Sequence, residues 1–130
     1  MAIRAFLWLS ALVWLPYGLF CFFQPGSLAG VAGVAANTAT GTIELRAMYG
    51  GLQAAIGVLS LMAALRPRLQ PAALMTLLFL FAGLGVARLA GVALDGQLSV
   101  YTGGALVFEL LGAGVAAWLL GRAGSEVVTA

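Results

Sequence analysis

Apolar residues run along the chain in four blocks, over residues 5–23, 43–65, 72–94 and 103–121. Each is close to the roughly 20 residues that a bilayer-spanning helix needs. The blocks are continuous and rich in Leu and Ala. Strands of a membrane barrel would instead alternate apolar and polar positions over about ten residues. The pattern therefore predicts four helices. Each break has a physical cause. Gln24-Pro25-Gly26 stops the first helix, and Asp95-Gly96-Gln97 stops the third. Arg66-Pro67-Arg68-Leu69-Gln70-Pro71 makes a tight turn between the second and third, with prolines to end one helix and begin the next. The connection over residues 24–42 is rich in Ala, Gly and Val. It is too apolar to lie free in water, so part of it, near residues 28–35, is expected to rest on the outer surface or to form a short helix there.

Arginine placement gives the direction. Arg4 precedes the first span, Arg66 and Arg68 lie between the second and third, and Arg122 follows the fourth. With an even number of spans these places share one side. The long 24–42 loop and the connection carrying Asp95 share the other, and neither contains an arginine. The positive-inside rule puts the arginines, and with them both termini, in the cytoplasm. The first span could be misread as a secretory signal, with Val34 and Ala36 placed for cleavage. That site lies well past the apolar run, so the span is read as retained. The expected fold is an all-α integral membrane protein. It is an antiparallel four-helix transmembrane bundle, a single domain over residues 1–130, in a bacterial inner membrane.

Composition narrows the chemistry. Hydrophobic residues make up 63% of the 130 positions and charged residues 8%, against about 25% charged in an average soluble domain. So few charges cannot cover a water-soluble surface, and the chain is too apolar to be disordered. It has no His, and all six of its basic residues are Arg. That excludes histidine-ligated haem or metal, the Ser-His-Asp arrangement and a Schiff-base lysine. Cys21 is the single cysteine, so no intrachain disulfide or paired-cysteine redox centre can form; it is read as a packed apolar residue. No basic stripe supports nucleic-acid binding.

Candidate chemistry lies in the charges that fall inside or at the edge of spans: Glu44, Arg46, Arg88 and Glu109. A charge at the bilayer centre costs about 3 kcal/mol on insertion scales, so such residues face the interior and pair. Arg88 lies six positions before the end of the third span and Glu109 six after the start of the fourth. Both are then about 9 Å below the outer boundary. Tyr17 and Tyr49 have the same offset in the first and second spans, and Gln53, four residues after Tyr49, is placed on its face. Two readings stay open. One is a structural clamp, with Arg88 on Glu109 and Arg46 on Glu44 or Glu109. The other is a polar pocket open to the outer side, where Arg46 and Arg88 bind an anionic or carbonyl-bearing ligand. Proton-coupled transport is a weaker third, because no inverted repeat is evident. Small residues recur at four-residue spacing in Ala47/Gly51, Gly83/Ala87/Gly91 and Gly112/Ala116. They are read as packing positions within the bundle first and oligomer contacts second. Trp8, Trp14 and Trp118 are expected at the lipid or interface side.

The segment Glu44-Leu-Arg46-Ala-Met-Tyr49-Gly50-Gly51-Leu-Gln53 resembles the E-x-R-A-x-Y-G-G motif of a family of small four-helix bacterial membrane proteins known only as a domain of unknown function. Gly83-x-x-x-Ala87-Arg88-Leu-x-Gly91, followed by Asp95-Gly96, is similar to that family's third-helix motif, and Glu109 matches its fourth-helix acid. Four helices with a long first outer loop also resemble DoxX-like proteins, some of which the resemblance links to quinone-dependent oxidoreductases. The chain has no cysteine pair, so a thiol-redox role does not carry over.

The expected function is that of a non-catalytic membrane protein, an accessory or structural subunit or an oligomeric module with a buried Arg/Glu layer. The alternative is a small-ligand or quinone-binding DoxX-like protein acting with an oxidoreductase. No catalytic residue, metal site or cofactor is predicted, and an enzyme acting alone is not expected; a quinone or lipid is the ligand class left open. The expected partners are the lipid bilayer and, among proteins, further copies of the chain or a larger membrane complex. The arginine pattern yields a direct test. A reporter fused after Ala130 should read cytoplasmic and a tag inserted at Asn37 should read external. An external reading after Ala130 would contradict the assignment.

Overall fold

The computed structural model of the chain describes the backbone of residues 1–128 and the side chains of residues 1–122. The C-terminal reporter site and Glu126 therefore lie outside the described side chains. Helix α1 spans Ala2–Phe23, α2 Ser27–Ala32 and α3 Ala39–Leu45. A π-helical segment, Arg46–Gly51, continues α3 directly into α4, Leu52–Leu65. A 3₁₀ turn, Pro67–Leu69, leads to α5, Gln70–Asp95, and α6 follows over Val100–Val128. No strand occurs among the described residues. Four stretches are long and apolar enough to cross a membrane: Ala2–Phe23, Ala39–Leu65, Pro67–Asp95 and Val100–Arg122. At 1.5 Å per residue the shortest is about 33 Å long, enough for a hydrocarbon core of about 30 Å.

The predicted helices are all present, and the breaks fall at the predicted residues. α1 stops at Gln24, and α5 stops at Gly96, whose φ of 65° suits a residue without Cβ. The helices nevertheless outrun the apolar blocks. α3 begins at Ala39, inside the stretch assigned to the outer loop. There Thr38 takes an extended conformation and its side chain accepts a 3.0 Å hydrogen bond from the Gly41 backbone N–H. That N-cap satisfies one of the helix's orphan donors. Hydropathy marks where a membrane can cover a helix; caps decide where the helix starts. The apolar part of the same connection forms the short α2. Leu28 on it is buried, and Gly33, at φ 69°, ends it.

The chain divides into two units, Met1–Leu69 and Gln70–Ala130. In the first, α1 buries Leu7, Ser10, Ala11, Trp14, Gly18 and Cys21, a series at three- and four-residue spacing that forms one stripe. Against it lie Gly50, Ile56, Gly57, Ser60, Ala63 and Ala64. Residue numbers rise on one helix as they fall on the other. A Cβ on Gly50 would sit 2.8 Å from the Phe22 backbone, one on Gly18 would strike the Ala54 amide, and one on Gly57 the Leu15 amide. The two backbones touch at three glycines, an approach that any side chain would prevent. Buried Ser10 and Ser60 satisfy their hydroxyls by donating to the Phe6 and Ile56 carbonyls of their own helices, each at 2.9 Å. Cys21 is buried as an apolar side chain.

Trp14 departs from the expectation of a lipid-facing tryptophan. It lies on the buried stripe, in phase with Ala11 and Gly18, whereas Trp8 falls off that phase and is exposed. Trp118 is exposed, and the Arg122 guanidinium lies 4.1 Å from the centre of its ring.

In the second unit α5 buries Ala73, Leu74, Leu77, Phe81 and Gly85. α6 answers with Glu109, Gly112, Ala116 and Leu119. Gly112 faces the Phe81 ring, whose atoms would stand 2.8 Å from an added Cβ; Phe81 also meets Phe108 edge to face at 5.3 Å. Of the small-residue rows read from the sequence, Gly112/Ala116 is packed. Gly83 and Gly91 have nothing within 4 Å of an added Cβ, and Gly51 meets only the Arg46 carbonyl of its own turn. The four-residue rule marks small residues without stating which face of the helix they occupy.

The glycines can be told apart by stability. Gly18→Ala and Gly57→Ala should each destabilise the protein by about 1–3 kcal/mol, the cost of overpacking a contact that cannot open. Gly83→Ala should be neutral or stabilising by up to about 1 kcal/mol, because alanine is the better helix former and the space is open. Unfolding in detergent measures both, and equal losses at Gly57 and Gly83 would contradict the contact pattern.

Candidate functional site

Two polar clusters stand out, one in each unit. The first is made by α5 and α6. The stripe Leu77, Phe81, Gly85 advances by four residues at a time, and the next position three residues on is Arg88. Across from it, Glu109 opens the buried series that continues at Gly112 and Ala116. Gly85 lies at the level of the acid: a Cβ there would be 3.7 Å from the Glu109 Cβ, an ordinary packing contact. The acid lies against α5, one turn from the arginine.

The ion pair is a fork. Arg88 Nε donates to Glu109 Oε2 at 2.9 Å and Oε1 at 3.2 Å, and Nη2 donates to Oε1 at 2.6 Å. The Glu109 side chain is 4% exposed and that of Arg88 26%. Both carboxylate oxygens are engaged, and the planar guanidinium matches them in direction as well as charge. Arg88 lies seven residues inside the end of α5 and Glu109 nine inside the start of α6, about 10 Å and 13 Å along the helix axes. The pair thus sits within the apolar stretches. The predicted pairing of Arg88 with Glu109 is present.

The second cluster belongs to the first unit and centres on the π-helical segment Arg46-Ala-Met-Tyr49-Gly50-Gly51. The Leu52 N–H bonds to the Ala47 carbonyl, five residues back instead of four. Such a wide turn is uncommon and is found often at functional sites. Tyr49 lies within this segment, and Gln53 follows its end by two residues. Gly50 meets α1 at Phe22 and Gly18 meets Gly50 and Ala54. Tyr17 and Tyr49, their chain neighbours, therefore lie at one level. Tyr17 is 36% exposed and Tyr49 is partly buried. Gln53 is partly buried, and its Oε1 is enclosed with no hydrogen-bond donor among the described residues.

Arg46 donates from Nε to the Phe22 carbonyl at 3.1 Å. Phe22 is the penultimate residue of α1, so this carbonyl is one of those left without an intrahelical donor at the helix end. Glu44 is exposed and forms no ion pair among the described residues. A matching contact at the other end of the unit was missed from the sequence, where Arg4 counted only as a topology signal. Arg4 Nε donates to the carbonyl of Ala64, the penultimate residue of α4, at 3.2 Å. In each case an arginine on one helix caps the end of its neighbour. An arginine at either end of a predicted hairpin is the signal that could have found this. Gly50 and Gly57, seven residues apart, could have marked the contact stripe.

A family described as Domain of unknown function (DUF4345) matches residues 2–120. No curated protein and no solved structure matches the chain. The match takes in all four long apolar stretches up to the last turns of α6, the π-helical segment and the Arg88–Glu109 pair. On that coverage, the chain belongs to this family of unknown function.

Proposed function

We propose that the protein is a non-catalytic, multi-pass protein of a bacterial inner membrane, an accessory or structural subunit or an oligomeric module, with both termini in the cytoplasm. In this reading the four apolar helices form an antiparallel transmembrane bundle. The Arg88–Glu109 fork is the observation that carries the reading. Its acid is almost wholly buried and has both oxygens bound by the arginine. A carboxylate so completely engaged holds helices in register; a group poised to act on a substrate needs capacity to spare. Glu44, Arg46, Tyr17, Tyr49 and Gln53 are then polar supports of the first unit, with no catalytic role.

The second reading, a small-ligand- or quinone-binding protein of the DoxX-like kind, is favoured by one feature. The enclosed Gln53 Oε1 has no hydrogen-bond donor among the described residues and lies just after the π-helical turn. A ligand hydroxyl or quinol would supply that donor.

A double-mutant cycle separates clamp from ligand site. Glu109→Leu alone leaves the Arg88 guanidinium stranded and should cost about 3–5 kcal/mol, as does breaking other buried pairs. Arg88→Met alone should do the same to the carboxylate. The double variant should lose less than either single one if the pair is a clamp. Detergent unfolding of the three variants gives the coupling, and additive losses would show that the two charges do not act together. A folded double variant that no longer co-purifies with a small molecule bound by the parent protein would support the ligand reading instead.

A further inference from the structure

We propose that the end of the first unit carrying Arg4, Arg66 and Arg68 is a binding site for the phosphate headgroup of an anionic phospholipid. The unit contains four arginines and one acid, Glu44. Glu44 belongs to α3, at the end where Arg46 meets Phe22, and the other three arginines lie at the opposite end, where Arg4 meets Ala64. Each end thus has an arginine that caps a helix, yet within this unit only one end is charged without compensation.

The local structure brings the three arginines to one end of the hairpin. The carbonyl that receives Arg4 belongs to Ala64, two residues before Arg66 and four before Arg68. Arg66 leaves the helix in an extended conformation, and its carbonyl accepts a 2.9 Å bond from the Leu69 N–H, which closes the 3₁₀ turn around Arg68. Pro67 within that turn restricts it further. Arg4 commits Nε to the Ala64 carbonyl, so its stem is fixed while the remaining guanidinium donors have no protein partner among the described residues. Arg66 and Arg68 are exposed and likewise without a side-chain partner there. A guanidinium has five N–H donors in a planar fork suited to phosphate oxygens. Three of them at the end of two apolar helices meet the lipid where its phosphates lie. Basic pockets of this kind at the ends of membrane helices bind acidic headgroups.

The site requires that the hairpin lie in a bilayer, as the proposed function holds, and is independent of whether the protein is a structural subunit or binds a quinone. Full-length protein in detergent would be titrated with short-chain phosphatidylglycerol, short-chain phosphatidylcholine or glycerol 1-phosphate, with bound molecules counted by native mass spectrometry. Phosphatidylglycerol should bind in preference to phosphatidylcholine, and less tightly as salt is raised. Glycerol 1-phosphate should not bind measurably, because the apolar helices contribute the rest of the affinity. Arg66→Gln and Arg68→Gln, at positions with exposed side chains, should each weaken binding by roughly fivefold, the effect expected of one basic residue near an anionic surface. Arg4→Gln should weaken it as well and also lower stability by loss of the cap, whereas Arg46→Gln should lose stability but keep the lipid. Equal binding of the two lipids, or a phosphatidylglycerol affinity unchanged in the Arg66→Gln/Arg68→Gln double variant, would overturn the site. Tight glycerol 1-phosphate binding would replace the lipid by a soluble phosphate. If the protein instead left the membrane fraction on carbonate extraction, the membrane reading itself would fail, a result distinct from loss of lipid selectivity.

Discussion

Hydrocarbon offers no hydrogen bonds, and every polar group that enters it must bring its partner along. A helix solves this for its interior and leaves it unsolved at both ends, where several carbonyls and amides remain orphaned. In the first unit two of these ends are closed by arginines from the neighbouring helix. Arg46 reaches Phe22, and Arg4 reaches Ala64. The cation also faces the negative end of the helix dipole, so one contact satisfies an acceptor and a field together. The serines in the contact stripe follow the same necessity by turning back on their own helices. In the second unit the problem is a full charge rather than a carbonyl, and the solution is a fork between Arg88 and Glu109.

These polar contacts depend on how closely the backbones approach. Lipid tails are as apolar as leucine, so apolar side chains gain little by leaving lipid for protein; helix association relies on packing and on internal hydrogen bonds. Gly18, Gly50 and Gly57 let α1 and α4 touch, and that closeness sets the distance over which Arg4 and Arg46 must reach. The glycines and the charges are thus two aspects of one arrangement, since a wider interface would separate the arginines from the groups they serve.

The helices were legible in the sequence because their signal is summed over some twenty positions. The Arg88–Glu109 pair was legible because equal offsets from a short connection align two residues whatever the details between them. Trp14 was misplaced, since a tryptophan's preference for interfaces is an average and the phase of Ala11, Trp14 and Gly18 decides the individual case. The start of α3 at Ala39 escaped a hydropathy argument because a single hydroxyl, that of Thr38, fixes it. The glycine contacts were half legible: small residues were recognised as packing positions, but the rows counted by fours fell largely on open faces, while the close approach uses Gly50 and Gly57. The π-helical turn had no signal in the periodicity, which presupposes regular α-helix throughout.

That turn has a consequence for the second long helix as a whole. A hydrogen bond closing over five residues takes up one residue more than the α-helical ladder does, so the two halves of the helix are out of phase by about a quarter turn. The half carrying Ile56, Gly57 and Ser60 is keyed to the middle of α1. The half carrying Glu44 and Arg46 is free to be keyed separately, to the last carbonyls of α1. The segment works as a phase shifter: it lets one continuous helix present two independently aimed faces, and it concentrates the cost of both in six residues, Arg46–Gly51.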